Sequence, residues 1–375
     1  MNLKIDIKNH VKNIIGKKIS RKIVVFCVDD FGSIRTKNID AYNKLVSLGN
    51  PISKKCIQKY DTLASNSDLK NLFDVLTSVK DQHNNYACFT PFTVVANPDF
   101  KKIRANNFQT YYRQSFFDTL KDYCSDYDNV ENLWKEGIKT NIFYPAFHGT
   151  EHVNINRFMK ALQENHKSTR IGFELESICI PAFPDEKAIN KYTATYDVNS
   201  INDNQQLIES IKEGLRIFEN LFGFRAKQFA PGAGIYSPDL NKTLFEEGVK
   251  FINVNRYRTV PLGNSKYKKK ITFNSQKIYS GQYYIVRNSS FEPQGAETNR
   301  VALDTLNQIE AAFKWNTPAI ISSHRLNFIG HFEPKWRDKS LIQLKYLLKE
   351  IVKKWPDVEF MNADQMAEIL VSSEK

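Results

Sequence analysis

The residues with the clearest chemical potential are two adjacent aspartates and three histidines. Asp29 and Asp30 end a six-residue apolar run, His148 and His152 lie four residues apart, and His324 follows another apolar run. Two imidazoles and one carboxylate form a three-ligand set that leaves positions open for water, as catalytic zinc sites require. The second aspartate can then contact the bound water. This combination predicts a hydrolytic metal site.

Each of these features also has a structural interpretation. Two histidines four residues apart on a polar helix are more often solvated than metal-bound, and adjacent aspartates before Gly32 can simply cap a turn. However, like charges side by side at the end of a buried strand are costly unless a cation offsets them. A lone histidine such as His324 is usually a hydrogen-bonded structural residue, but its pKa range suits proton donation near neutral pH. The combination favours a metal site.

The elements that position these residues alternate between short apolar runs and amphipathic stretches, which predicts parallel strands connected by helices. No dinucleotide-binding fingerprint follows the first strand, and this favours a barrel over an open doubly wound sheet. The carboxyl ends of barrel strands meet on one face, so the residues that follow them are expected to converge. The predicted strands are 23–28, 142–147, 171–175, 227–230, 251–254, 283–286, 319–323 and 358–361. The predicted helices are 38–48, 155–164 (with Asn154 as N-cap), 205–221, 301–314, 341–355 and 364–370.

One catalytic domain over residues 1–375 is predicted, because no linker of Pro, Gly or Ser divides the chain. Residues 50–135 fit the alternating pattern poorly and are interpreted as a long, mostly helical insertion that could form a lid or a substrate wall. Four aromatic residues of this segment could line a substrate groove or form helix core. They are Tyr111, Tyr112, Phe116 and Phe117.

The composition is that of a globular protein, with 41% hydrophobic and 25% charged residues. The net charge of +12 could indicate a polyanionic partner such as nucleic acid, an anionic glycan or a membrane surface. The lysines are spread along the whole chain, however, which favours a basic surface that is merely solvated. No secretory signal or segment of about 18 apolar residues is present. Five scattered cysteines predict no disulfide framework. A cytoplasmic location is therefore expected.

Four segments resemble a known family. VVFCVDDFGS (24–33), FHGTEHVN (147–154), FAPGAG (229–234) and IISSHRLNF (320–328) occur in the order of the motifs of polysaccharide deacetylases, the NodB-homology proteins of carbohydrate esterase family four. The resemblance implies a distorted (β/α) barrel that binds zinc, with cobalt or nickel as other possible metals. It also implies roles for individual residues: Asp29 as general base, Asp30, His148 and His152 as metal ligands, His324 as general acid, and Pro231 and Gly232 in substrate binding.

The sequence departs from this family at two positions. Phe229 stands where the family has an arginine that positions the base aspartate, and Arg325 is the candidate replacement and a candidate substrate-binding residue. Gly149 stands where Ser or Thr is usual. Glu292 and Asn288 follow a predicted strand and are further candidates for the same rim.

The resemblance predicts a metal-dependent hydrolase that removes an acyl group, most simply N-acetyl, from a sugar. A substrate inside the cell is expected, such as a sugar nucleotide, a lipid-linked glycan or another glycan precursor. Two alternatives remain. One is a metal-dependent amidase that acts on a small cyclic amide or ureide, and the other is a barrel that binds glycan without turnover.

Overall fold

The computed structural model describes residues 3–54, 61–123, 125–189, 192–200, 203–279 and 281–372. The strands are β1 Lys22–Phe31, β2 Phe89–Val94, β3 Ala96–Pro98, β4 Arg113–Ser115, β5 Ala146–Gly149, β6 Gln228–Phe229, β7 Phe251–Val254, β8 Tyr257–Pro261, β9 Tyr267–Ile271, β10 Gln276–Lys277, β11 Tyr283–Val286, β12 Ser289–Ser290, β13 Ala319–His324 and β14 Val358–Phe360. The α-helices are α1 Leu3–Ile14, α2 Ile39–Ser47, α3 Asn66–Leu76, α4 Phe100–Ala105, α5 Phe116–Leu120, α6 Val130–Lys139, α7 Ile155–Gln163, α8 Lys167–Glu174, α9 Asp203–Phe222, α10 Asn241–Glu246, α11 Arg300–Lys314, α12 Pro334–Lys354 and α13 Ala363–Ser372.

The main sheet is almost entirely parallel. Its strand order is β10, β11, β7, β6, β5, β2, β1, β13, β12, with β14 also paired to the start of β1, and only the β10–β11 pair is antiparallel. Helices connect most of these strands, as the alternating pattern predicts, whereas β8, β9 and β10 lie between β7 and β11.

The two ends of this sheet must meet. β11 and β12 are seven strand spacings apart in the order, which is about 34 Å in a flat sheet. Yet only Arg287 and Asn288 separate β11 from β12 along the chain, and a segment this short spans about 10 Å. Asn288 donates its backbone N–H to the Ile320 carbonyl on β13 at 3.1 Å and so attaches this link to the far end of the sheet. The sheet is therefore curled into a barrel.

Both faces of the sheet are buried, as expected of a parallel sheet between an interior and surrounding helices. Val24, Phe26 and Val28 of β1 belong to the large cluster that packs against the helices. Ile23, Val25 and Cys27, which alternate with them, belong to a second cluster that fills the barrel interior and includes residues of α13. The alternation along β1 therefore defines which side chains face the barrel axis.

Helix starts follow their predicted chemistry. The side chain of Asn38 accepts a hydrogen bond from the Ala41 N–H at the start of α2, and Asn154 caps α7 as predicted. The predicted helices 205–221, 301–314, 341–355 and 364–370 correspond to α9, α11, α12 and α13.

Three element predictions are corrected. Residues 171–175, predicted as a strand, lie in α8, and the strand predicted over 142–147 is β5, which begins only at Ala146. Residues 50–135, predicted as a mostly helical insertion, contain β2, which pairs with β1 and β5 in the middle of the sheet. Phe116 and Phe117 pack on Trp134 in the core, so the core interpretation of this aromatic segment holds for them. The assignment of one domain to the whole chain stays a prediction.

Among the described residues, none of the helices combines the length with the apolar character needed to cross a membrane. Cys27, Cys88 and Cys179 are buried and form no disulfide with one another, and Cys56 and Cys124 lie outside the described residues.

Candidate active site

Most of the predicted site residues converge at one end of the barrel. They do so because they occupy the last of the positions along each strand whose side chains face the barrel axis. On β1, Asp29 follows Ile23, Val25 and Cys27 at the next inward position, and Asp29 is paired in register with His324 of β13. These inward positions at the strand ends all line one pocket, with a volume of about 350 Å³. They are Asp29, His148, Ala230, Asn253, Arg287 and His324.

Asp30 reaches the same pocket by a different route. It has a positive φ of 75°, a conformation that non-glycine residues rarely adopt, although Asp is among those that tolerate it. The pairing of β1 with β2 is irregular between Val28 and Phe31, around this residue. This bulge turns Asp30 towards the two histidines, and therefore both adjacent aspartates face one pocket.

Asp30, His148 and His152 form a compact cluster. The Asp30 Oδ1 lies 2.9 Å from Nε2 of His152 and 3.4 Å from Nε2 of His148, and their ligand atoms all lie within 4.8 Å of one another. Ligands at about 2.0–2.1 Å in a tetrahedral zinc site are separated by roughly 3.3 Å, so these separations fit. All three residues are of the type that zinc prefers.

The state of the two histidines also fits a metal. The ring of His148 uses Nδ1 for a 2.8 Å hydrogen bond with the Ala230 carbonyl, which leaves Nε2 buried without a hydrogen-bond partner. This arrangement fixes the tautomer in which Nε2 can bind a metal. Burial and the charge of Arg35 lower the pKa of His152 to about 4, so its imidazole is neutral, as a ligand must be.

Arg287 binds the other aspartate. Its Nη1 donates to Asp29 Oδ2 at 2.5 Å and its Nη2 donates to Asp29 Oδ1 at 2.7 Å, a bidentate ion pair. Burial raises the pKa of Asp29, but the charge and hydrogen bonds of Arg287 outweigh it and hold that pKa below its ordinary value. Arg287 thus occupies the role expected of the arginine that is missing at Phe229.

Glu292 holds His324. Its Oε1 lies 2.7 Å from Nδ1 of His324, while Asn327 Nδ2 donates to Oε2 at 2.6 Å. Burial lowers the pKa of His324, but the hydrogen bond to Glu292 and the nearby carboxylates outweigh it and raise that pKa to about 10. The imidazole is therefore protonated at neutral pH, and its Nδ1 is held by Glu292.

Arg325 does not do what was predicted for it. Its side chain is fully buried, its Nε donates to Asp61 Oδ1 at 2.9 Å, and it does not line the pocket. The prediction of Arg325 as the partner of Asp29 is wrong, because the Arg325 side chain points away from the barrel axis. Outside the barrel it contacts Asp61, which also pairs with Arg35. Asn288 is likewise buried and bonds Pro318 and Ile320, so it has no place in the pocket.

The other predicted positions lie close to the cluster. Pro231 lines the pocket, whereas Gly232 is buried. A Cβ added at Gly232 would lie 3.3 Å from Cε1 of His152, which is a tight contact. Gly149 has a φ of 119°, and a Cβ there would lie 2.8 Å from the Tyr196 hydroxyl oxygen. The glycine that replaces the usual Ser or Thr is therefore required by the local packing.

The outer part of the pocket is polar and cationic. Asn253, Asn255, Arg256 and Ser289 line it, and the described residues on its wall include no Phe, Tyr or Trp. Tyr111 and Tyr112 pack instead against a separate hydrophobic cluster.

Comparisons with known proteins agree on the fold. No protein-family model and no curated protein matches the sequence. A protein from Parabacteroides distasonis assigned as a glycoside hydrolase/deacetylase has 9% identity and a TM-score of 0.51, over 96% of this chain and 73% of its own.

Two further solved structures align less well. A protein from Pseudomonas aeruginosa PAO1 assigned as a polysaccharide deacetylase has 11% identity and a TM-score of 0.46, over 95% of this chain and 92% of its own. The 4-alpha-glucanotransferase from Thermococcus litoralis has 9% identity and a TM-score of 0.46, over 94% of this chain; the chain spans only 40% of that enzyme. Identities this low establish the fold alone. The predicted fold, a distorted (β/α) barrel of the polysaccharide-deacetylase type, is confirmed.

Proposed function

We propose that this barrel of the polysaccharide-deacetylase type is a metal-dependent hydrolase that removes an N-acetyl group from a sugar or glycan precursor. The observation that carries the proposal is the arrangement of three groups in one pocket. The cluster of Asp30, His148 and His152 lies beside an ionised Asp29 and a protonated His324. These are the components that amide hydrolysis requires.

Asp30, His148 and His152 are the residues that would hold the metal, with zinc as the favoured ion because the donors are two imidazoles and one carboxylate. A divalent ion bound there supplies Lewis-acid chemistry to an acyl carbonyl and to water.

The remaining chemistry comes from the protein side chains. The carboxylate of Asp29, oriented by Arg287, accepts a proton from the attacking water. His324 donates its proton to the nitrogen of the departing amine, which leaves as a neutral group. Glu292 keeps that proton available because it raises the pKa of His324. One amide bond breaks, one carbon–oxygen bond forms, and the products are acetate and a free amine.

A second candidate is hydrolysis of a compact non-sugar amide, such as a cyclic amide or ureide. The observation that favours it is the pocket wall, because the described residues that line the pocket include no Phe, Tyr or Trp on which a sugar ring could stack. The same aspartates and histidine would act in both reactions.

The test combines metal content with a substrate panel. The wild type, Asp30→Ala and the surface control Asp357→Ala are purified without chelator, and bound metals are measured by elemental mass spectrometry. We expect near-stoichiometric zinc, cobalt or nickel in the wild type and the control, and none in Asp30→Ala. Asp357 is a suitable control because it is 56% exposed and pairs with Lys22, at the opposite end of β1 from Asp30. A wild type that binds no divalent ion after reloading would refute the proposal.

The metal-loaded protein is then tested for release of acetate from N-acetyl sugars and their nucleotide-linked forms, and for ring opening of cyclic amides. Acetate release that is lost in Asp29→Asn supports the deacetylase, and ring opening alone supports the second candidate. A metal-loaded protein without either activity would leave only the interpretation of a binding protein.

A further inference from the structure

The described side chains of helix α1, from Ile7 onward, have an inverted distribution of polar and apolar residues. Asn9 and Asn13 on one side are buried, and Asn13 accepts hydrogen bonds from Asn288 and Thr317. A helix that packs on a globular protein normally buries its apolar side and exposes its polar side. Here the polar side is the one that packs.

The opposite side of α1 is apolar and exposed. Ile7, Val11 and Ile14 are spaced by four and three residues, so they lie along one side of the helix, and Ile15 follows directly. The four side chains are 55%, 53%, 45% and 53% exposed, respectively. We call these four residues the apolar face. Clusters of exposed aliphatic side chains usually mark a surface that binds something apolar.

A second exposed apolar pair lies next to this helix. Tyr257 of β8 and Ile271 of β9 are paired in register and are 69% and 60% exposed. The β8–β9 hairpin starts beside α1, because Arg256 donates a hydrogen bond to the Lys12 carbonyl and Gly16 bridges to Asn274. The hairpin and α1 are therefore neighbours on the surface.

The surroundings of both elements are strongly basic. The chain from 248 to 291 contains no Asp or Glu. Its exposed basic residues are Lys250, Lys266, Lys268, Lys269, Lys270 and Lys277, and Arg256 is partly exposed. Lys268, Lys269 and Lys270 are exposed on β9. On α1, Lys8 and Lys12 lie beside the apolar face, and no carboxylate of the described residues forms an ion pair with them. Burial is the main reason that the pKa of Lys12 is lowered to about 8, and the charges of Lys8 and Arg256 lower it further.

We propose that the apolar face of α1 and the basic β8–β9 hairpin dock the protein on the surface of a lipid bilayer that contains anionic phospholipids. Apolar side chains on one side of a helix enter the acyl boundary, while lysines beside them contact phosphate headgroups. A second copy of this chain would bring the same lysines against each other, so charge complementarity favours the bilayer.

This docking has a consequence for the site. Arg256 lines the pocket and also bonds α1, so the pocket wall and the docking surface share a residue. A bilayer on this surface lies beside the pocket mouth. The inference does not depend on the proposed function, because it holds whether or not the site hydrolyses an amide.

The experiment is co-sedimentation of the full-length protein with vesicles of phosphatidylcholine alone and of phosphatidylcholine mixed with phosphatidylglycerol. We expect wild type to bind the mixed vesicles about tenfold more tightly or better, and to lose this preference at high salt. The triple variant Ile7→Ser, Val11→Ser, Ile15→Ser should weaken binding on the order of 100-fold. Ile342→Ser, which removes an aliphatic side chain that is 65% exposed on α12, is the matched control and should bind as wild type does.

A second variant tests the charges separately. Lys8→Gln with Lys269→Gln changes two exposed side chains, one on α1 and one on the face of β9 that carries Ile271, and each change should weaken binding to the mixed vesicles about 5-fold while binding to neutral vesicles is unchanged. Circular dichroism confirms that each variant is folded. Wild type that stays in the supernatant with both kinds of vesicle would overturn the proposal. A wild-type dimer that light scattering detects, and that the triple variant abolishes, would overturn it too, because a second copy would then cover the apolar face.

Discussion

Replacing Glu292 by glutamine removes the negative charge beside His324 while it keeps an oxygen that can accept the Nδ1–H hydrogen bond. In the native protein, this contact of 2.7 Å is the largest of the effects that raise the pKa of His324 to about 10. An adjacent carboxylate typically shifts a pKa by about one to three units. The His324 side chain is 43% exposed, so water screens the charge, and we expect a decrease of about one unit in Glu292→Gln.

The sign of the effect on activity follows from the role of His324 as proton donor. The donor is active only below its pKa, so activity is lost as pH rises through that value. In Glu292→Gln the alkaline limb of kcat/KM should therefore move to lower pH by about one unit, with little change in the acidic limb. Glu297→Gln, which removes an exposed carboxylate paired with Lys339, is the matched control and should leave both limbs in place.

A second assay needs no substrate. The chain has seven histidines, so the Cε1–H signals can be followed by NMR against pH, and His324→Asn identifies the signal of His324. The reasoning would be refuted if His324 titrated at the same pH in wild type and Glu292→Gln. An alkaline limb that persisted unchanged in His324→Asn would show that another group donates the proton.

Three other predictions concern the metal, the ion pair and the backbone of the site. His148→Ala should lose both bound metal and activity, whereas His324→Ala should keep the metal and lose activity, as elemental mass spectrometry and acetate release will show. Arg287→Met should lower the free energy of unfolding by about 3–5 kcal/mol in urea titrations, because it leaves Asp29 buried without a partner. The double variant Arg287→Met with Asp29→Asn should recover much of this loss. If it does not, the ion-pair argument is contradicted. Gly149→Ala should destabilise the fold by about 1–3 kcal/mol from backbone strain, and further from overlap with the Tyr196 hydroxyl. Gly49→Ala, where φ is also positive but nothing lies within 4 Å, measures the strain alone, and an equal cost in both variants would argue against the overlap.

Much of the site could be predicted because its residues are chemically distinctive and follow strands. Asp29, His148 and His324 continue the interior rows of three barrel strands, so the prediction of convergence needed only the strand positions. The fold followed from the same alternation of apolar runs and amphipathic helices. The roles assigned to these residues stay predictions until the variants are measured.

Arg287 was missed for a physical reason. It directly follows β11, whose four residues, Tyr283–Val286, are all buried and apolar. A strand that is apolar on both faces gives no sequence signal of which residues point inward, so the inward position of Arg287 could not be identified. Its position in the row of Tyr283 and Ile285 becomes apparent only when the strand is placed in the barrel.

The sequence of β2 is difficult to identify as a central strand because it contains Pro91. A proline is rarely found in a central strand, since it lacks the N–H that pairs with a neighbour. In this barrel Pro91 pairs opposite Val28, beside the irregularity of β1 at Asp30, where the regular pairing is already interrupted. Arg325 was misassigned because its buried partner, Asp61, lies 264 residues away in the chain.

The link of two residues between β11 and β12 has a consequence for heat inactivation. No strand pairing of the described residues joins β11 to β12, so the barrel closes there through Arg287 and Asn288 and not through a strand ladder. The first opening of the barrel on heating should separate these strands and withdraw Arg287 from Asp29. Activity should therefore disappear several degrees below the melting of the helices, and the loss should reverse on cooling.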